Sequence, residues 1–179
     1  YYYTWFEHQV VVDLDDPSFL SFFNLQGRSF AHSFSVQFDY ELIHNLNLRL
    51  AYRYYDVMTI YLGTLEEKPL VPAHRAFINA DYTTRNKWKF DYTIQGIGSE
   101  RTPGVIHDHG GFDPGGVNRS PAYVVMNAQV TKVFSNALDV YLGIENITND
   151  MQHDAIIGAG DPFGSKFDAS LIWGPMMGR

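Results

Sequence analysis

From Asn47 to Val57 the chain reads NLRLAYRYYDV, with Leu48, Leu50, Tyr52 and Tyr54 on one side of an extended backbone and Asn47, Arg49, Ala51 and Arg53 on the other. Side chains two residues apart share a face in a strand, so an alternation this long is a strand signal. The same period of two recurs along most of the sequence, and helical periodicity is scarce. Seven long strands are predicted: about Tyr1–Val12, Ser29–Leu42, Asn47–Tyr61, His74–Thr83, Lys87–Gly98, Ala122–Phe134 and Leu138–Ile147. The second aligns Phe34, Val36, Phe38 and Tyr40. The fourth sets Ala76, Ile78, Ala80 and Tyr82 against Arg75, Phe77, Asn79 and Asp81, and the fifth sets Trp88, Phe90, Tyr92 and Ile94 against Lys87, Lys89, Asp91, Thr93 and Gln95. All eight prolines fall outside these segments, as they must where every backbone N–H is needed for the ladder.

The connections alternate in length. IHNL, TRN and SNA join strands two to three, four to five and six to seven, and all are tight. The intervening segments, such as LGTLEEKPLVPA and SERTPGVIHDHGGFDPGGVNRSP, are long and rich in Gly and Pro. One end of the sheet is therefore trim and the other elaborated, as in an up-and-down outer-membrane barrel with short periplasmic turns and long extracellular loops. Pairing across TRN sets Asp81 against Lys89, Tyr82 against Trp88 and Ala80 against Phe90; pairing across IHNL brings Asp39 and Glu41 near Arg49. One face then carries complementary charges, which cross-strand neighbours favour. The other is aromatic toward the tight turns, where Tyr40, Tyr82 and Trp88 would sit at a membrane interface. Two polar residues interrupt it by parity: Lys132, placed to snorkel to headgroups, and His32, near the long-loop end.

A soluble sandwich would bury the aromatic face instead, and alternation alone fits both orientations. Strand length separates them. Spanning strands need about 9–11 residues and soluble ones cluster near five or six, and nearly all the predicted strands reach ten. The fold class expected is all-β: an antiparallel up-and-down transmembrane β-barrel. Composition is compatible. Aromatics make up 16% of 179 residues, and there is no run of about 18 apolar residues for a spanning helix. The net charge of -7 argues against a nucleic-acid partner, and without cysteine there is no disulfide or thiolate metal site. The chain opens on YYYTWF with no initiator Met or visible signal peptide, as expected of a mature product or a fragment.

Particular segments resemble a family. VYLGIENITND is similar to the penultimate strand of TonB-dependent outer-membrane receptors, with Ile147 where Leu is usual. SPAYVVMNAQVTKVF resembles the strand before it, and GRSFAHSFSVQFDYEL resembles a wall strand that follows a long loop. DPFGSKFDASLIWGPMMGR looks like the last extracellular loop of receptors from Bacteroidota, where a Gly-Arg pair opens the final strand. The resemblance implies a barrel of about 22 strands with a plug folded inside. Residues 1–179 would supply one domain segment, about its last seven to eight strands. It implies as partners the remainder of the barrel and the plug, TonB acting through that plug, outer-membrane lipid, and a surface lipoprotein seated on the loops. The location implied is the cell outer membrane, and the function is import of a scarce nutrient such as a ferric siderophore, haem or cobalamin.

The face bearing Arg49, Arg53, Arg75, Asn79, Asp81, Lys89, Asp91 and Gln95 would point into the lumen. As a set it is read as plug-facing; each residue singly is also accounted for by a solvated, charge-balanced interior. His107, Asp108 and His109 in VIHDHGGFDPGG are candidate substrate-loop residues with metal-ligating chemistry. No further ligands complete a site, and a solvated Gly-rich loop is the preferred reading. Phe19, Phe22 and Phe23 in SFLSFFNL are candidates for an apolar ligand or a surface partner, or for packing on neighbouring loops. Three carboxylates in DLDDP lack the Gly-centred spacing of a Ca²⁺ loop. No resident metal or cofactor is expected. Nor is an enzyme, since no nucleophile elbow, HExxH or phosphate loop occurs. Two other functions fit the pattern: a passive porin-like channel, and a soluble carbohydrate-binding β-sandwich.

Overall fold

The computed structural model describes residues 1–7, 10–13, 21–24, 27–61, 64–102, 106–107, 111–112, 119–153, 156, 159–164, 167, 169 and 172–179. Among them are twelve strands and no helix: β1 Tyr2–Glu7, β2 Val10–Asp13, β3 Ser21–Asn24, β4 Arg28–Ile43, β5 Leu46–Tyr61, β6 Thr64–Glu67, β7 His74–Thr83, β8 Trp88–Ile97, β9 Ile106–His107, β10 Gly111–Phe112, β11 Tyr123–Val133 and β12 Asp139–Ile144. No described helix is long and apolar enough to cross a membrane, which leaves crossing by strands untouched.

Eight strands form one antiparallel sheet in the order β1-β4-β5-β7-β8-β11-β12, with β6 folded back on β5. Every neighbour along that path is next in the chain among the long strands, so the meander expected from the alternating turns is present. The small ribbons β2–β3 and β9–β10 lie within two of the long connections. The predicted strand Tyr1–Val12 is divided. Its first part pairs with β4, whereas Val10–Asp13 pairs with Ser21–Asn24 inside the following connection. β4 and β5 run to 16 residues each and β7, β8 and β11 to 10, 10 and 11, but β1 and β12 at the sheet edges have six.

Register carries each face from strand to strand. The row Phe38–Leu50–Ile78–Ile94–Met126 is apolar across five strands, and the next row on that side is Tyr40–Leu48–Ala80–Tyr92–Ala128–Ile144. Between them on the opposite side lies Asp39–Arg49–Asn79–Thr93–Asn127. No second layer of described residues covers the apolar side. Many of its large residues are exposed, from 37% at Tyr54 and Val124 to 80% at Leu142, while Val36, Leu48, Ile94 and Met126 are half-buried. The apolar surface of this sheet is thus not covered as a core by the described residues.

The tight turns fix that register. Between β4 and β5, His44 and Asn45 form the turn; Asn45 takes a left-handed φ of 67°, which asparagine tolerates, and a bulge falls between Glu41 and Ile43. The turn between β7 and β8 is longer than TRN. Lys87 joins it with a φ of 60°, the Thr84 hydroxyl accepts from Trp88 N at 3.0 Å, and Thr84 N donates to Trp88 O at 2.8 Å. Thr83 therefore pairs with Lys89, Tyr82 with Phe90, Ala80 with Tyr92 and Asp81 with Asp91. The expected partners Lys89, Trp88 and Phe90 for Asp81, Tyr82 and Ala80 are each displaced by two residues. A slip of two preserves the faces, where a slip of one would exchange them.

Candidate functional site

All eight residues assigned to the interior-facing set occupy the polar side of the sheet, where like charges face each other at two places. Near the tight turns the row Glu41–Asn47–Asp81–Asp91–Gln129 places two carboxylates opposite each other. Side-chain amides reach both: Asn47 Nδ2 donates to Asp81 Oδ1 at 3.1 Å, and Asn79 Nδ2 donates to Asp91 Oδ2 at 3.0 Å and to Thr93 Oγ1 at 3.1 Å. One row further, Arg49 Nε donates to Asp39 Oδ1 at 2.5 Å, and Gln37 Nε2 to Asp39 Oδ2 at 2.6 Å. This is the complementary pair expected across IHNL. Lys89 stands between Thr83 and Thr131, and Gln95 between Phe77 and Val125. Toward the long connections Arg53 and Arg75 are direct cross-strand partners, and Arg53 lies 4.0 Å over the Tyr55 ring. The carboxylates of this face cluster toward the tight turns, with Arg49 and Lys89 among them, and Arg53 and Arg75 stand toward the long connections.

On the apolar side, Lys132 Nζ donates to the Asn86 carbonyl at 2.5 Å and sits 5.0 Å from the Trp88 ring centroid. The cation is thus held by the neighbouring tight turn, at the sheet end where the sequence placed it. His32 is framed by rings: its Nδ1 is 2.7 Å from Tyr1 Oη and its centroid 4.8 Å from that of Tyr3. His74 repeats the arrangement, with Tyr52 Oη 2.7 Å from its Nδ1 and the Tyr54 ring at 5.2 Å. Aromatic residues with polar tips therefore flank the apolar rows at both ends.

Of the loop candidates, Phe22 is 65% exposed on the β2–β3 ribbon, opposite Val12. Phe19, Asp108 and His109 lie outside the described residues, as do the side chains of Phe23 and His107. Among the described residues no three His, Cys, Asp or Glu side chains gather as metal ligands.

Two networks at the elaborated end were not legible in the sequence. In the first, Glu66 and Glu67 of β6 reach into the next long connection. Arg101 Nη2 meets Glu66 Oε2 at 2.6 Å, and Arg119 Nη1 meets Glu67 Oε2 at 2.5 Å. Arg101 and Arg119 are themselves bridged, and Ser120 N donates to Glu100 O at 2.9 Å. The neck of the segment 102–118 is thereby closed and tied to β6. Glu100 is only 5% exposed, and burial raises its carboxyl above the ordinary carboxylate range, against an opposing field from Arg75. In the second, the turn after β12 is built around Asn146, 6% exposed, with φ 48°. Its Nδ2 donates to Asp150 O at 2.9 Å and Met177 O at 3.0 Å, while its Oδ1 accepts from Asp150 N at 3.2 Å. Its own N–H donates to Asn127 Oδ1 at 2.9 Å. β12 therefore stops at Ile144, short of the predicted Ile147, because this turn takes over the backbone bonding.

No protein-family model matches the chain, and no curated protein matches it.

Proposed function

We propose that this chain is part of the wall of a TonB-dependent transporter in a bacterial outer membrane, importing a scarce nutrient of the ferric siderophore, haem or cobalamin class. The observation that carries this reading is the apolar face, uncovered among the described residues and continued through seven strands that follow one another in chain order, with Lys132, His32 and His74 toward its ends. Soluble monomers rarely leave contiguous apolar patches beyond a few hundred Å², whereas a barrel turns that face to lipid and its polar face to the lumen. The aromatic ends, the Lys132 anchor and the confinement of long connections to one end support the same orientation. The free edges of β1 and β12 support closure by further strands, since hydrocarbon satisfies no unpaired backbone group. The segments quoted above as resembling the receptor family select the plugged, energised class over an open pore.

In this reading the polar rows contact the plug, and the ends tied by Glu66, Glu67 and Asn146 hold surface loops over the substrate path. The test uses the full-length protein. Growth on a ferric siderophore, haem or cobalamin as sole source is expected to require both this protein and TonB. Steady single-channel conductance in planar bilayers, with uptake indifferent to TonB, replaces it with the porin reading. Full recovery from the aqueous phase without detergent removes both.

A further inference from the structure

We propose that Arg53 and Arg75 form an oxyanion-binding site on the polar face, taking a carboxylate- or phosphate-bearing ligand between their guanidinium groups. The two are direct cross-strand partners on β5 and β7, so their Cα atoms stand about 4.5–5.5 Å apart and their side chains leave the same side. Like charges placed directly opposite repel. Elsewhere on this face each charged group facing its like has a neutral donor beside it: Asn47 reaches Asp81 and Asn79 reaches Asp91. No carboxylate lies within 4.0 Å of either Arg53 or Arg75 among the described residues. Glu100 acts on Arg75 only through its longer-range field.

The surroundings suit an anion. A groove of about 430 Å³ runs over the pair, lined by Ser35, Gln37, Phe77 and Gln95 as well as the two arginines, and contains no acidic side chain. The adjoining groove toward the tight turns is lined by Asp39, Glu41 and Asp81 around Arg49. That charge step directs an anion to the Arg53–Arg75 end. A planar guanidinium fork binds carboxylate or phosphate through two parallel N–H···O bonds. A ligand with several oxyanion groups can engage both forks at once, and Ser35 and Gln95 add neutral donors at its margin. Arg53 is further oriented by the Tyr55 ring beneath it.

The inference rests on the transporter reading only for its lumenal setting. The pairing itself is a property of the sheet. Full-length protein in detergent is titrated with citrate by calorimetry, and thermal midpoints are taken for wild type, Arg53→Gln, Arg75→Gln, Arg75→Lys and the control Arg49→Gln. Heat-modifiable electrophoretic migration is scored first on the wild type, so failure of the barrel reading is seen separately from failure of the site. Citrate binding that weakens tenfold or more in Arg53→Gln and Arg75→Gln, less in Arg75→Lys and not in Arg49→Gln, is expected for a diffusible ligand. If citrate does not bind but both Gln variants lower the midpoint, an acidic side chain elsewhere in the protein supplies the same oxyanion. The proposal is overturned if citrate affinity is equal in all forms. It is also overturned if citrate does not bind and the Gln variants leave or raise the midpoint, since loss of one charge then only relieves repulsion.

Discussion

Asn146 donates its side-chain amide to the backbone carbonyl of Met177, 31 residues further along the chain. The same amide holds Asp150 O, and Gln152 N donates to Pro175 O at 2.8 Å. One buried asparagine thus fixes both ends of a long excursion against β11 and β12. A hydrogen bond of this kind contributes about 0.5–1.5 kcal/mol net. Asn146→Ala is therefore expected to raise hydrogen exchange at residues 147–152 and 172–179 while β4, β5 and β7 keep their protection. Uniform loss of protection across the sheet, or none at all, would show that the asparagine does not act as this local clamp.

The pairs Glu66–Arg101 and Glu67–Arg119 join two connections that are remote in sequence. The Glu67–Arg119 pair is partly exposed, so it contributes about 0–1 kcal/mol to global stability, and its effect belongs to loop position. Arg119→Glu is expected to speed proteolytic cleavage within 102–118 several-fold with little change in thermal midpoint. The double variant Glu67→Arg/Arg119→Glu restores the pair with its charges exchanged and should recover most of the protection. Equal cleavage of the single and double variants would remove the clasp.

Glu100 gives a pH dependence of definite sign. Burial raises its pKa in the folded protein above the ordinary 4.5. Between that value and the raised one, the folded state binds more protons than the unfolded state, so stability falls as pH rises through the window. Glu100→Gln abolishes this loss. The variant's thermal midpoint should match wild type at pH 4 and exceed it at pH 8, measured by calorimetry in one detergent. Parallel curves at the two pH values would mean that the carboxyl is as well solvated folded as unfolded.

Period-two alternation reveals the strands because it reports which side each residue faces, and facing is decided locally. Hence His74–Thr83 has the predicted bounds, and Arg49, Asn79 and Asp91 share the predicted side. Pairing partners depend on turn geometry, which the sequence disclosed less well. Lys87 in a left-handed conformation lengthened one turn and replaced an Asp81–Lys89 pair with Asp81 facing Asp91. The Glu66–Arg101 and Asn146–Met177 contacts left no signal, because they join irregular segments whose approach is set by the finished sheet. Asn146 stood inside a segment chosen for family likeness, but its buried hydrogen bonds became visible only in three dimensions.

The row Phe38–Leu50–Ile78–Ile94–Met126 lies midway between the aromatic ends of the apolar face. If that face meets hydrocarbon, the row sits at the depth where a charge is most costly, and Arg or Lys there loses about 2–4 kcal/mol against the bilayer. Leu50→Arg should lower the folding free energy of the full-length protein in phospholipid vesicles by that amount, read from urea titrations of tryptophan fluorescence. Thr93→Lys, one row away on the polar side, should change it little, because water or plug accepts the charge there. The contrast between neighbouring rows is the informative quantity. A sheet buried by a second soluble layer also rejects Leu50→Arg, but it refolds without lipid and shows the same penalty in buffer. Dependence of the penalty on vesicles, together with tolerance at Thr93, is the outcome that lipid contact requires.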